Sequence, residues 1–264
     1  MMYLVVIILA AIQGVTEFLP ISSSAHLYLF PWIFNITNPG LAFDAAIHIG
    51  TALALLIFFW KDFYNLIKER NKLLWWILIA TIPAAMVGFF GDKLIEQTFH
   101  QSSFAPLIIG VGMIFFSLVM WWVDRTAKLE ADITHIGMKR ALIVGFAQVL
   151  ALIPGTSRSG ITITAGEFLG LKRSDAARFS FLLATPISLG AGLYKFVQLV
   201  SEPMQNGVTL GMTLLGIVVS FGVGIAVIAW LLDYLKKHSL LVFVVYRVAL
   251  GSLVVLIWLL RING

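Results

Sequence analysis

Cysteine is absent from the chain, which excludes disulfides, thiolate nucleophiles and thiol-bound metal. Histidine is scarce: five are scattered over 264 residues, no zinc-ligand spacing forms, and any metal is expected on oxygen. Charge is the third shortage. Only 12% of residues are charged against 60% hydrophobic, and mean hydropathy is +0.97. A soluble domain of this length needs far more polar surface, so the composition indicates an integral membrane protein, a single membrane domain over 1–264. The net charge of +5 suits loops that meet anionic lipid, so membrane lipids and not nucleic acid are the implied partners. The apolar start, Met1 to Ala11, lacks the basic stretch that opens a signal peptide and is expected to stay in the mature protein.

What the chain does have is long apolar runs. A hydrocarbon core of ~30 Å takes about 20 apolar residues per helix. Six stretches meet that length: 41–60, 73–90, 104–123, 176–199, 208–232 and 240–260. Two others, 2–34 and 138–170, are cut midway by proline and a hydroxyl cluster, at Pro20 to Ser24 and at Pro154 to Gly160. Each reads as a re-entrant hairpin, because irregular backbone at membrane depth survives only under cover of protein or a cavity. Phe18-Leu19-Pro20-Ile21-Ser22-Ser23 aligns with Leu152-Ile153-Pro154-Gly155-Thr156-Ser157 at an offset of 134, and three spans follow each hairpin. Three is odd, so the second copy is expected upside down, its hairpin meeting the first tip to tip. The expected fold is an all-α polytopic membrane protein: six transmembrane helices plus two re-entrant helix-loop-helix hairpins. Its inverted-topology repeats are 1–123 and 137–264.

Basic residues give the orientation. Lys61, Lys68, Arg70 and Lys72 in a 61–72 loop, Arg125, Lys128, Lys139 and Arg140 in a 124–140 loop, Lys172 with Arg173, and Lys236 with Lys237 all fall on one side. The other side keeps Lys93 and Arg261, so both termini and the first hairpin's mouth are expected outside. Arg178, Lys195 and Arg247 lie in or near spans and are expected to snorkel to an interface.

An ionisable group at membrane depth is a functional-site hypothesis by default. The first cluster, Gln13 to His26, holds such groups. Glu17 suits a general base or a cation ligand; Ser22, Ser23 or Ser24 can act as nucleophile or cap the following helix; His26 can move a proton. Gln13 shares a helix face with Glu17 and can orient phosphate or water. In the second cluster Gly155 and Gly160 let backbone approach a ligand, Ser157, Ser159 and Thr162 donate, and the Arg158 guanidinium forks onto phosphate oxygens. Asp44 and His48, one turn apart, can hold a cation, tune His26, or form only a solvated contact. Glu167 is expected in solvent at the second hairpin's mouth, and His100, His135 and His238 in loops without a role.

These paired segments resemble the two signature motifs of the undecaprenyl-diphosphatase family, also called bacitracin-resistance proteins. Gln13 to His26 is similar to its (Glu/Gln)-x-x-x-Glu plus Pro-x-Ser-Ser-x-x-His pattern, and Pro154 to Gly160 to its Pro-Gly-x-Ser-Arg-Ser-Gly pattern. The likeness extends to Phe43-Asp44, His48-Ile49-Gly50, and Phe179 to Leu183 with Pro186. Gln13 stands where Glu is commoner, which removes a second carboxylate ligand, and Ala25 stands for a Gly before the histidine. The resemblance implies loss of the terminal phosphate from undecaprenyl diphosphate, a polyprenyl diphosphate lipid, on the outer face of the cell membrane. That step recycles the carrier of cell-wall synthesis. In this reading Arg158 and the hairpin N–H groups hold the diphosphate, and Mg²⁺ or Ca²⁺ bridges it to Glu17. Either Ser23 attacks the outer phosphorus with help from His26, or His26 activates water. A polyprenyl-phosphate transporter or flippase is the rival reading, since inverted repeats with broken helices are common there. A homodimer stays open.

Overall fold

The computed structural model describes residues 2–36, 39–95, 102, 104–200 and 207–263. Within these the chain is helical apart from short loops and two 3₁₀ turns. The first hairpin is α1 (Met2–Thr16) and α2 (Ser23–Phe34), followed by α3 (Leu41–Phe58), α4 (Trp60–Lys68), α5 (Lys72–Ile95) and α6 (Ala105–Thr126). The second is α7 (Met138–Val149) and α8 (Arg158–Phe168), followed by α9 (Arg173–Val200), α10 (Leu210–Tyr234) and α11 (Leu241–Asn263). Five helices are long and apolar enough to cross a membrane, six if the bent pair α3 and α4 counts as one. Large apolar side chains such as Trp75, Phe90, Phe115 and Leu260 face outward, as lipid contact requires. The protein is an all-α polytopic membrane protein.

Two expectations about boundaries change. The stretch 61–72 is not a loop: its greater part is α4, which leaves α3 at 54°. Phe59 sits fully buried at the bend, while Trp60 and Tyr64 stay exposed beside Lys61 and Lys68, cations over their rings at 5.6 and 5.9 Å. Aromatic rings next to lysines are the signature of a helix lying in the membrane interface. The hairpin breaks are also displaced. α1 stops at Thr16, and α2 begins at Ser23, so Ser23 and Ser24 are helical. In the second hairpin the break runs from a 3₁₀ turn at Leu150–Leu152 to Ser157, and Arg158, Ser159 and Gly160 form the first turn of α8. Proline at 20 and 154 explains both stops, since it lacks the N–H and biases the residue before it away from helix.

The packing alternates between halves. α1 lies along α10 and α7 along α5, while α3 with α9 and α6 with α11 pair across the middle. The α6–α11 contact depends on two glycines. A Cβ on Gly110 would meet the Gly251 carbonyl at 2.9 Å, and one on Gly251 would meet the Gly110 carbonyl at 2.7 Å, so only small residues let these backbones touch. An aromatic core lies beneath the tips: Phe181 packs edge-on to Phe18 at 5.7 Å and against Phe59 at 6.3 Å, all three fully buried. Phe18 lies between Glu17 and Pro20, so the first tip is anchored directly in this core.

Arg178 pairs with Asp62 on the interfacial α4, and 42% of its side chain stays exposed, in keeping with the expected reach to an interface. Arg247 is 1% exposed, and Glu167, expected in solvent, is 0% exposed. The side chains of Lys93 and Lys195, and His100, lie outside the described residues.

Candidate active site

The tips meet at Glu17. Its Oε1 accepts from Arg158 Nη2 in an ion pair. Its Oε2 accepts from Ser23 Oγ at 2.6 Å and from Gln13 Nε2 at 3.0 Å, and His48 Nε2 lies 3.9 Å away. The Glu17 side chain is only 8% exposed. A carboxylate so far from water is tolerable because each oxygen has charge-assisted partners. Behind it, Gln13 reaches Thr51 at 3.4 Å, and Arg158 Nη1 donates to Ser188 on α9 at 2.6 Å.

Each tip is then fastened to the other. Ser159 Oγ donates to the Leu19 carbonyl at 2.9 Å. Arg247, from α11, donates to Pro20 O at 3.1 Å, Gly155 O at 2.8 Å and Thr156 O at 2.9 Å, gathering carbonyls of both loops on one guanidinium. Gly155 has φ 87°, and a Cβ there would run into the Ile109 carbonyl of α6, so this tip admits only glycine. Ser157 caps α8, its Oγ accepting from Gly160 N at 3.1 Å and lying 3.2 Å from Ser159 Oγ. The first residues of α2 and α8, Ser23 and Arg158, both reach Glu17, and the N–H groups of an uncompleted first turn suit phosphate.

His26 is turned elsewhere. Its Nδ1 lies 2.7 Å from the Ser22 carbonyl, which can only accept, so Nδ1 carries the hydrogen. Nε2 then accepts from Tyr246 O–H at 2.6 Å, with the rings stacked at 5.7 Å. The group in contact with the Ser23 hydroxyl is therefore Glu17, and the structure shows no contact between Ser23 and the His26 ring. Chemically the arrangement joins a hydroxyl, a carboxylate and a guanidinium in one contact at membrane depth, the parts needed to attack and hold a phosphoryl group.

Comparison with known proteins agrees with this chemistry. The family described as bacitracin resistance protein BacA matches residues 6–253. The chain belongs to that family. A relative from Desulforudis audaxviator, named undecaprenyl-diphosphatase, is 41% identical over 263 residues, covering 97% of each chain. One from Alteromonas mediterranea with the same name is 43% identical over 265 residues, covering 96% of this chain and 97% of its own.

The BacA motif residues are not all gathered at the contact. Glu17, Ser23, Gln13, Arg158, Ser159, Ser157, Gly155 and Gly160 come together at the tips. Ser22 and Ser24 face each other at 3.4 Å, and Ser24 is exposed. Thr162 turns away: its hydroxyl donates to Arg158 O at 2.7 Å and pairs with buried Ser180 at 2.6 Å, tying α8 to α9. Asp44 meets His48 through its backbone, the Asp44 carbonyl accepting from Nδ1 at 2.7 Å, and His48 faces Glu17. Thr51, Ser188, Tyr246 and Arg247 were not expected at the site. Only Arg247 left a trace in the sequence, as a lone arginine inside an apolar run.

Proposed function

We infer that this protein hydrolyses the terminal phosphate of undecaprenyl diphosphate, giving undecaprenyl phosphate and inorganic phosphate and returning the carrier to cell-wall synthesis. The observation that carries it is the double contact on Glu17, with Ser23 on one oxygen and Arg158 on the other. A carrier that only moves a phospholipid needs the arginine but has no use for a hydroxyl held 2.6 Å from a buried base. The names of the BacA relatives support the substrate.

The diphosphate takes Arg158 from Glu17, since its oxygens offer the guanidinium the same bidentate geometry with more charge. Glu17, released, accepts the Ser23 proton as Oγ attacks the outer phosphorus. The bond from that phosphorus to the bridging oxygen breaks, and undecaprenyl phosphate leaves. Water then cleaves phosphorylated Ser23 and frees phosphate. Arg158, with N–H groups of the first turns of α2 and α8, holds the transferring oxygens.

A divalent ion fits this donor set. Glu17 is a carboxylate, and Gln13 Oε1 beside it is a buried acceptor with no hydrogen-bond partner. Among the described residues no three His, Asp or Glu cluster for metal, so Glu17 and Gln13 would hold the ion together with substrate phosphate, as Mg²⁺ commonly binds. Mg²⁺ or Ca²⁺, held there, would supply charge neutralisation to the diphosphate.

The two halves read as inverted repeats, supported by the matched pairings of α1 on α10 and α7 on α5. The basic loops lie on the cytoplasmic side, and both termini and the site open outward. The test of function is phosphate release from undecaprenyl diphosphate by purified protein in detergent, where nothing can be transported. Release with Mg²⁺ and its loss with a chelator are expected; no release returns the transport reading. For orientation, Asn71→Cys and Glu130→Cys should resist an impermeant thiol reagent in intact cells while Ser102→Cys labels.

A further inference from the structure

The carbonyl of Ser22 accepts twice from one residue, from the His26 ring at 2.7 Å and from the His26 backbone N–H at 3.3 Å. It belongs to the peptide that joins Ser22 to Ser23. In a trans peptide the carbonyl and the N–H point in opposite directions. Drawing the Ser22 carbonyl back along α2 therefore turns the Ser23 N–H forward, off the start of the helix. Ser22 needs this hold, because it keeps φ 75° without being glycine and its side chain makes no cap bond. The imidazole that supplies the hold is itself fixed from outside the hairpin. Its far nitrogen accepts from Tyr246 O–H at 2.6 Å, and the rings stack 7° from parallel. Tyr246 stands on α11 next to Arg247, which binds the Pro20 carbonyl two residues before Ser22.

We propose that Tyr246 is a positioning residue for phosphoryl transfer, acting through His26 to fix the Ser22–Ser23 peptide and so aim both the Ser23 hydroxyl and the Ser23 N–H. The proposal rests on the phosphatase reading above. Tyr246 touches neither Ser23 nor Glu17; its effect passes through the imidazole. With its O–H present, the hydrogen on His26 stays on Nδ1, where the Ser22 carbonyl needs it. Without it, the Ser22 carbonyl alone favours that tautomer and ring position, and the ring can turn or exchange its hydrogen more readily, loosening the strut on Ser22. Tyr246 and Arg247 together make α11 the element that adjusts the first tip to the second.

The test is Tyr246→Phe, which keeps the stacked ring and removes only the O–H. One neutral hydrogen bond lost corresponds to about a three- to tenfold fall in kcat. KM should stay within about twofold, because Arg158 and the other phosphate contacts are untouched. The same change is then made in a His26→Asn background, with single turnovers followed at enzyme excess so that slow phosphate release is measurable. If Tyr246 acts through His26, the second loss disappears there. Wild-type kcat in Tyr246→Phe, a change confined to KM, or an equal loss in both backgrounds would each overturn the proposal. Absence of phosphate release by the wild-type protein would instead sink the phosphatase reading, so the two failures are distinct.

Discussion

At the first tip Ser22 precedes α2 with φ 75° and makes no cap; at the second Ser157 precedes α8 with φ 70° and caps Gly160 N–H. The residue after each, Ser23 or Arg158, is the first of its helix, and both bond Glu17. The tips share a backbone pose and differ in how firmly they are set. Eight of the eleven residues of α8 are buried, against four of twelve in α2. The second tip is thus the more deeply packed, a cradle walled by α6, α7 and α9 as well as held by Arg247, while the first, which in the proposed reading carries the reacting groups, has α11 as its outside support through Tyr246 and Arg247. A site built from one rigid and one adjustable arm can bind phosphate on the first and adjust a nucleophile with the second.

The sharpest way to break this division is at its shared atom. Glu17→Gln preserves size and can still meet Ser23, but it removes the charge that takes a proton and faces Arg158. We expect phosphate release to fall on the order of 10³-fold, within the range for a positioned base, with an unchanged thermal midpoint. Turnover near wild type would mean that Glu17 only joins the tips. Next comes the cradle. Arg158→Lys keeps one charge and loses the planar fork, so the expected fall in kcat is about 10²- to 10³-fold, with a smaller change in KM. Activity within about threefold of wild type would remove Arg158 from the transferring group.

The rigidity of the cradle is tested by Gly155→Ala. The added methyl group is strained on the left-handed backbone of this position and meets the Ile109 carbonyl, so the loss expected is about 1–3 kcal/mol of stability, read as a lower unfolding midpoint in detergent. An unchanged midpoint would show that the second tip yields as readily as the first.

Much of this was legible because its causes are local. Apolar runs of span length and prolines beside hydroxyl clusters signal spans and breaks without knowledge of neighbours; the span-length helices are there, and each break lies within a few residues of its proline and hydroxyls. α4 was missed because nine residues with Lys61, Asp62 and Lys68 read as polar loop, although Trp60, Tyr64 and Ile67 mark an interfacial helix. Arg247 and Glu167 were misread for a different reason. A single charge in a helix is compatible with snorkelling or with burial, and what decides is which carbonyls or helices the fold brings alongside, which no local pattern contains. His26 likewise was close enough to Ser23 in sequence to suggest a base, yet its ring follows Ser22 and a tyrosine 220 residues away.

The smallest effect compares the two strained serines directly. Glycine adopts φ near +70° without the steric cost that a side chain carries, about 1–3 kcal/mol at such positions, but it loses more backbone freedom on folding, about 0.4–1 kcal/mol. At Ser22 no cap bond is lost, so Ser22→Gly should stabilise the protein by about 1 kcal/mol. At Ser157 the relief is similar, but the bond from Gly160 N–H and the contact with Ser159 Oγ go with the hydroxyl. Replacing a capping serine by glycine costs a few tenths of a kcal/mol, and a lost neutral hydrogen bond about 1. Ser157→Gly should therefore be neutral or slightly destabilising. Both are read from denaturant midpoints at equal slope, so the ranking matters more than either value. If Ser157→Gly proves the more stable variant, the Ser157 hydroxyl does not hold the second tip, and the contrast between a fixed cradle and an adjustable arm loses its local basis.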